Sequence, residues 1–224
     1  LMLSVYEQNK DYFAELNTNI PESNNSTPDI LDEMMFNLKW LLTMQDPSDG
    51  GIYHKLTTPN FEKFIMPDKC HQPRYVVAKS VTGTLDFAAC MAQASRLFEG
   101  NKDYPEFSAK AREAAIKAYE WAKKNPNEFY RQRDLNNKFK PSISTGEYGD
   151  FRCNDEMFWA ATELYRLTGI SQYKEDAERL MPPFFMNSSW GMVNELGLFS
   201  WISSNDSEMR NKSLNLLKIY CDNQ

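Results

Sequence analysis

The chain has 224 residues, 42% of them apolar and 25% charged, the profile of a soluble globular protein with room for one large core. Its net charge of −6 argues against nucleic acid and anionic membranes as partners, and no apolar run is long enough to span a bilayer. The pattern is already helical at Leu1, so the chain is expected to be an internal piece of a longer protein, and a missing targeting signal says nothing about location.

Helical periodicity dominates. The first helix is expected from Leu1 to about Leu16. Thr27-Pro28-Asp29 reads as an N-cap, a proline at the first helical position and an acid in the first turn. From there Leu31, Met34, Met35, Leu38, Leu41 and Leu42 form one apolar face that ends near Gln45. An alanine-rich helix follows from about Lys79 to Phe98, and another from Glu106 to Lys124, stopped by Asn125-Pro126. Further helices are expected over about Asp155–Thr168 with Gly169 past the end, Ser171–Leu180, Gly191–Ser203 and Ser207–Cys221. No strand pattern rivals these. The fold class is therefore all-α, an array of αα-hairpins.

The links between helices differ in length. Residues 46–78 and 125–153 are long, 182–189 intermediate, and 99–105, 169–170 and 204–206 short. In an up-down array successive links alternate between the two ends, and here long alternates with short. All the long links should therefore gather at one end, where long loops usually carry function.

The first long link begins "GGIYHKLTTPNFEKFIMPDKCHQPRYV", residues 50–76, and holds both histidines of the chain. Single rings such as Phe61 and Phe64 are expected mainly to fold the loop onto the helix ends. His54, beside Tyr53 in a glycine-led turn and outside any apolar periodicity, suits a site role and a structural role equally. A rim of rings and polar groups fits sugars, whose C–H faces stack on π-systems and whose hydroxyls need paired donors and acceptors.

Residues 145–165, "TGEYGDFRCNDEMFWAATELY", place Glu147, Asp150, Asp155 and Glu156 before an apolar helix. An acid–base pair at Asp155 and Glu156 is opposed by geometry. Adjacent helical residues point about 100° apart, whereas glycoside hydrolysis sets its two carboxyls across the scissile bond. Acids favoured by a helix N-terminus and a calcium site completed by Glu195 remain as equal readings. Residues 19–33, "NIPESNNSTPDILDE", pose the same choice for Glu22, Asn25 and Asp32, at the opposite end from the long links.

Cys70, Cys90, Cys153 and Cys221 form no close CxxC pair, and Cys90 reads as a core thiol. Cys70 beside His71 lacks a second Cys/His pair to complete a metal site. There is no GxSxG elbow, Walker loop, dinucleotide fingerprint or HExxH.

Taken in order, "IPESNNSTPDILDE", "WLLTMQDPSDGGIYHKLT", "FIMP", "TLDFAACMAQASRLF" and "TGEYGDFRCNDEMFWAATELYRLTG" resemble the catalytic module of glycoside hydrolase family 9, the cellulase family of endo-β-1,4-glucanases. The resemblance implies an (α/α)₆ barrel, a toroid of twelve helices of which about eight are expected here, with 1–224 forming a partial catalytic domain. It implies a β-1,4-glucan partner, an inverting hydrolase and a secreted or periplasmic full-length protein. The family's aspartate motif normally lies upstream of such a segment and its catalytic glutamate downstream, so neither catalytic carboxylate is expected in this chain. Carried over by position, His54 and Tyr53 line the cleft, and Tyr148 and Trp190 contribute cleft aromatics. Asp150, Asp155, Glu156 and Glu195 match a calcium-binding region, and Glu22, Asn25 and Asp32 a second one. The competing readings are a non-catalytic carbohydrate-binding or scaffold module and another (α/α)₆ enzyme such as a sugar epimerase, which would normally use several cleft histidines.

Overall fold

The computed structural model describes residues 1–223. Among these described residues, ten α-helices and one two-stranded sheet follow in the order α1 (Met2–Gln8), α2 (Lys10–Glu15), α3 (Asp29–Thr43), β1 (Leu56–Thr57), β2 (Tyr75–Val76), α4 (Val81–Leu97), α5 (Phe107–Lys124), α6 (Gln132–Lys138), α7 (Asn154–Thr168), α8 (Ser171–Leu180), α9 (Asn194–Ile202) and α10 (Ser207–Asp222). The helices pack pairwise: α4 on α5 and α7, α7 on α8 and α9, α9 on α10.

The core is centred on α4. Ser80 caps it by accepting a hydrogen bond from the Gly83 N–H. Its Leu85, Ala88, Ala89, Met91 and Ala92 are fully buried, as are Ala111, Ala115 and Ala118 of α5 and Ala160 and Ala161 of α7. Alanine on facing helices lets the backbones approach closely, and the larger Phe158, Leu164 and Trp201 fill the remaining layer. Each side chain of Phe158 or Leu164 size stabilises the fold by about 1.5–3 kcal/mol through burial. Gly169, at φ 70, ends α7 in the left-handed conformation that glycine adopts without a Cβ clash.

Several boundaries differ from the pattern. The expected first helix breaks at Asn9, whose φ of −132° is non-helical and whose side-chain amide donates to the Val5 carbonyl. Asn9, Lys10 and Asp11 are all exposed there, so no buried face holds the helix straight. Thr27 does not cap α3. Its hydroxyl donates to Asp103, and Pro28 occupies the cap position with Asp29 as the first helical residue. α9 starts at Asn194 instead of Gly191, because residues 189–192 form a tight turn closed by a Ser189–Met192 bridge.

The two long links also carry structure of their own. In 46–78, β1 and β2 pair antiparallel with Leu56 opposite Val76. Bridges between Gln45 and Ile52 and between Tyr53 and Lys79 extend this pairing, and Pro67–Lys69 forms a 3₁₀ turn. In 125–153, α6 forms. The paired glycines lay the first link against α5. Gly50 takes φ 89, and a Cβ on Gly51 would lie 2.5 Å from the Trp121 ring.

The links sort by end as the alternation requires. At one end 46–78 meets 125–153: the Val81 N–H donates to the Glu128 carbonyl and the Ser144 N–H to that of Pro59, both at 2.7 Å. The 182–193 link joins them where the Val193 N–H donates to Asp155 at 2.9 Å. At the other end, Ser26 and Thr27 of the α2–α3 link bind Asp103 of the short α4–α5 link. Gly169 and Ser203–Asp206 frame a 440 Å³ cavity with Arg96 and Arg166 there.

Candidate functional site

Three of the cavities lie where the long links gather. One of about 540 Å³ lies between Asp150, Phe151, Asp155, Pro182 and Gly191. A second, of about 410 Å³, lies between β2 and the segment after α6, lined by Tyr53, Tyr75, Tyr130 and Phe139. The smallest, about 160 Å³, is bounded by Trp40, Met44, Tyr53, His54 and Asp86.

His54 stands in the wall of the smallest cavity with both ring nitrogens engaged. Nε2 lies 3.0 Å from the Glu147 carbonyl, which can only accept, so Nε2 carries the proton. Nδ1, 2.8 Å from Ser80 Oγ, therefore accepts from that hydroxyl, whose oxygen in turn accepts the Gly83 N–H. The ring stacks on Tyr130 with centroids 4.4 Å apart and planes 15° from parallel. Burial lowers its pKa below the ordinary value, so it stays neutral at pH 7. His54 thus joins the first link, the start of α4 and the second link.

Tyr53 is committed as well. Its hydroxyl donates to Asp46 at 3.0 Å, and the Lys79 ammonium lies 5.5 Å from the ring centroid while bridging Asp46 and Asp49 at 2.7 Å each. Trp121 Nε1 donates to Asp49, fastening this cluster to α5. Tyr148 and Trp190 contrast with both. These residues are 61% and 78% exposed on the links of the same end, and Phe151 and Phe139 on the second link are exposed too.

The acids divide into two groups. Asp150 Oδ1 accepts the Phe151 and Arg152 N–H groups, which makes it a turn cap. Asp155 Oδ2 accepts the Val193 N–H and Glu195 Oε2 the Ser188 hydroxyl. Glu156 and Glu195 each keep one buried oxygen without a partner. Burial, then Asp155 and Asp86, push Glu156 up to about 10. Burial, then Asp155 and Asp150, push Asp86 up to about 7. Asp86 escaped the sequence reading. Its signal is a lone acid among Val81–Cys90, a stretch without another charge.

Among the described residues, no three His, Cys, Asp or Glu side chains come together as a metal-binding group. The unmet oxygens of Glu156 and Glu195, with three acids within electrostatic reach of Glu156 or Asp86, still fit a hard cation as the missing partner. The Glu22, Asn25 and Asp32 set fits less well. Glu22 and Asn25 are exposed, and both polar atoms of the Asn25 amide are used, Nδ2 on Asp32 and Oδ1 on the Thr27 N–H. Tyr104 donates to Asp32 at 2.6 Å. Asp29 accepts from Thr18 and Ser23, and Asp103 from Ser26 and Thr27, whereas Asp32 Oδ2 stays buried without a partner. Cys70 points its thiol at Glu62 at 3.6 Å, and all four cysteines are free.

A sequence profile described as "Glycosyl hydrolase family 9" matches residues 1–219. The xyloglucan-specific endo-beta-1,4-glucanase BoGH9A of Bacteroides ovatus is 57% identical over 203 residues, 90% of this chain and 35% of that protein. Endoglucanase D of Acetivibrio thermocellus is 35% identical over 208 residues, 91% of this chain and 32% of that protein. The solved structure titled "Bacteroides ovatus GH9" superposes with a TM-score of 0.95 at 53% identity, covering 99% of this chain and 42% of that one. The chain thus spans about a third of the length of these curated relatives.

Proposed function

Because the chain belongs to glycosyl hydrolase family 9, we propose that it forms one wall of the glucan cleft of an inverting endo-β-1,4-glucanase and holds the polysaccharide without cutting it. The helices are part of the family's (α/α)₆ barrel, and the proposed cleft lies along the end that gathers the long links. One observation carries the reading: exposed Tyr148, Phe151 and Trp190 stand on long links that hydrogen bonds tie together at one end of the fold. Rings held on a rigid frame suit stacking against pyranose faces. The substrate class is a β-1,4-glucan backbone, with xyloglucan, on which the Bacteroides ovatus relative acts, as the first candidate.

Asp155 and Glu156 do not form a cutting pair in this reading. They are neighbours on one helix, one bonded to the Val193 N–H and the other buried. An inverting pair needs carboxyls roughly 6.5–9.5 Å apart on opposite sides of the bond, with room for water. We assign calcium a structural role here, with Glu156 and Glu195 as the oxygens it satisfies and Asp150 and Asp155 beside them. No helix among the described residues is long and apolar enough to cross a membrane. A polysaccharide hydrolase must meet its polymer outside the cytoplasm, which places the working protein in a secreted or periplasmic setting.

The test is affinity electrophoresis of the purified chain in carboxymethyl-cellulose, mixed-linkage glucan and xyloglucan gels, with reducing-end release measured in parallel. Retardation without turnover is expected, reduced by Tyr148→Ala and Trp190→Ala. Sustained turnover abolished by Asp155→Asn or Glu156→Gln would place the catalytic pair inside this chain. Migration unaffected by any glucan would remove the cleft reading.

A further inference from the structure

Tyr148 is a non-glycine residue in the left-handed region, φ 52. Such a conformation persists only where the surroundings over-determine it. The three residues before it show how. Thr145 and Gly146 are held by Lys55, whose Nζ donates to Thr145 Oγ1 at 3.2 Å, to the Gly146 carbonyl and to Gln132 Oε1 at 2.8 Å. Glu147 is held twice, its carbonyl by His54 and its carboxylate by the Gln132 N–H at 2.7 Å. The Tyr148 ring then folds back over Gly146, where a Cβ would lie 2.6 Å from it.

Lys55 occupies the centre of this arrangement. Its ammonium is 5.5 Å from the Tyr130 ring centroid and 5.8 Å from that of Tyr148, close enough for attraction to both π-faces. An ammonium has three N–H donors, and the three hydrogen bonds above use all of them. No donor is left for a sugar hydroxyl, so any effect of Lys55 on glucan must pass through another residue.

Resting on the glucan-cleft reading above, we propose that Lys55 is a positioning residue: it locks residues 145–148 so that Tyr148 presents its exposed ring as a preformed stacking platform for a β-glucan chain. The lock ties the ring to the first link, so the platform is rigid before substrate arrives, and no ordering cost falls on binding. A lysine beside a histidine in a loop carries no periodicity that would reveal this role in the sequence.

Two measurements on the full chain test it. Hydrogen exchange of the peptide covering 144–149 reads the lock with no glucan present. Lys55→Met should speed exchange there, Gln132→Leu should do so in the same direction, and Lys55→Arg should keep it slow. Affinity for carboxymethyl-cellulose reads the platform. Tyr148→Ala should weaken it about fivefold to tenfold, the scale of one lost stacking contact. Lys55→Met should weaken it similarly, and the double variant should be no weaker than Tyr148→Ala, because both remove one platform. Lys55→Arg should restore most of the affinity, a result that loss of general packing would not give. Unchanged exchange in Lys55→Met, or losses that multiply in the double variant, would overturn the proposal while wild-type retardation kept the cleft reading intact. A wild-type chain that no glucan retards would overturn both.

Discussion

Glu7 is the residue whose replacement the structure prices most directly. It lies in the last turn of α1, and its side chain is 10% exposed between Arg96 of α4 and Arg166 of α7. Oε1 accepts from Arg96 at 2.5 Å and from Arg166 at 2.8 Å, and Oε2 accepts from Gln93 at 3.1 Å. Burial alone would raise its pKa. The two guanidiniums and Gln93 overcome that and hold it at about 2, against an ordinary 4.5. A depression of that size corresponds to about 3 kcal/mol favouring the ionised form in the folded state. Glu7→Gln should therefore cost about 3 kcal/mol at pH 7, since it leaves Arg166 without a carboxylate and Arg96 with Glu163 alone. In a chain of this size that is a fall of roughly 6–12 °C in Tm. The pH dependence identifies the cause. Because the folded pKa is depressed, the stabilisation is complete above about 4.5 and fades as pH falls towards 2. The gap in Tm between wild type and Glu7→Gln, followed by circular dichroism from pH 7 to pH 3, should narrow below pH 4.5. A gap that is absent at pH 7, or constant across the range, would refute the argument.

Glu156 has the opposite sign. Its folded pKa is raised to about 10, so without a cation its contribution is favourable at low pH and is lost as pH rises above 4.5. Glu156→Gln should raise Tm at pH 8 in chelator, and calcium should stabilise wild type but not this variant; a calcium response retained in Glu156→Gln would reject the assignment. Gly51→Ala should lower stability by about 1–3 kcal/mol, because its Cβ meets the Trp121 ring at 2.5 Å, and tryptophan emission should change with it; an unchanged Tm would mean the first link moves freely away from α5. Phe36, 80% exposed, and Trp40, one turn later on α3, leave an uncovered apolar strip, so light scattering should show self-association that Phe36→Ser with Trp40→Ser reduces.

Helices were legible where one face is apolar and the ends are punctuated. The run from Leu31 to Leu42 and the Gly169 stop show both signals, and α3 and α7 lie close to where those signals put them. The break at Asn9 was not legible, because a lone asparagine without an adjacent glycine or proline is a weak stop signal. β1, β2 and α6 are too short for any period to register, and tertiary contacts hold them. The alternation of long and short links was legible, because it follows from connectivity alone. At the site, the sequence marked His54 and Tyr53 but not what they do. Both polar ends turn inward, to Glu147 and Ser80 and to Asp46, and partners so distant in sequence leave no local pattern.

Buried polar atoms without partners occur at both ends of the molecule. At the end with the short links, Arg96 Nε is a donor, while Glu163 Oε1 and Asp32 Oδ2 are acceptors. Arg96 and Glu163 are joined by an ion pair, and Asp32 accepts from Tyr104 and Asn25 on its other oxygen. At the end with the long links, Asp86 Oδ1, Glu156 Oε2 and Glu195 Oε1 are all acceptors. Glu156 and Asp86 also repel each other and Asp155. Water relieves a missing hydrogen bond, but it does not remove like-charge repulsion in a poorly solvated place. Protonation or a cation does. Protonation leaves Glu156 neutral up to about pH 10, which loses stability at neutral pH relative to an ionised, ligated carboxylate. A cation bound by Glu156 Oε2 and Glu195 Oε1, as proposed above, would instead fasten α7 to α9. Calcium should therefore stiffen the aromatic end and leave the alanine-packed core unchanged. Hydrogen exchange with and without calcium distinguishes the two: slowing confined to peptides 150–157 and 186–196 fits, whereas uniform slowing across α4 and α5 would show that the cation acts on the whole fold.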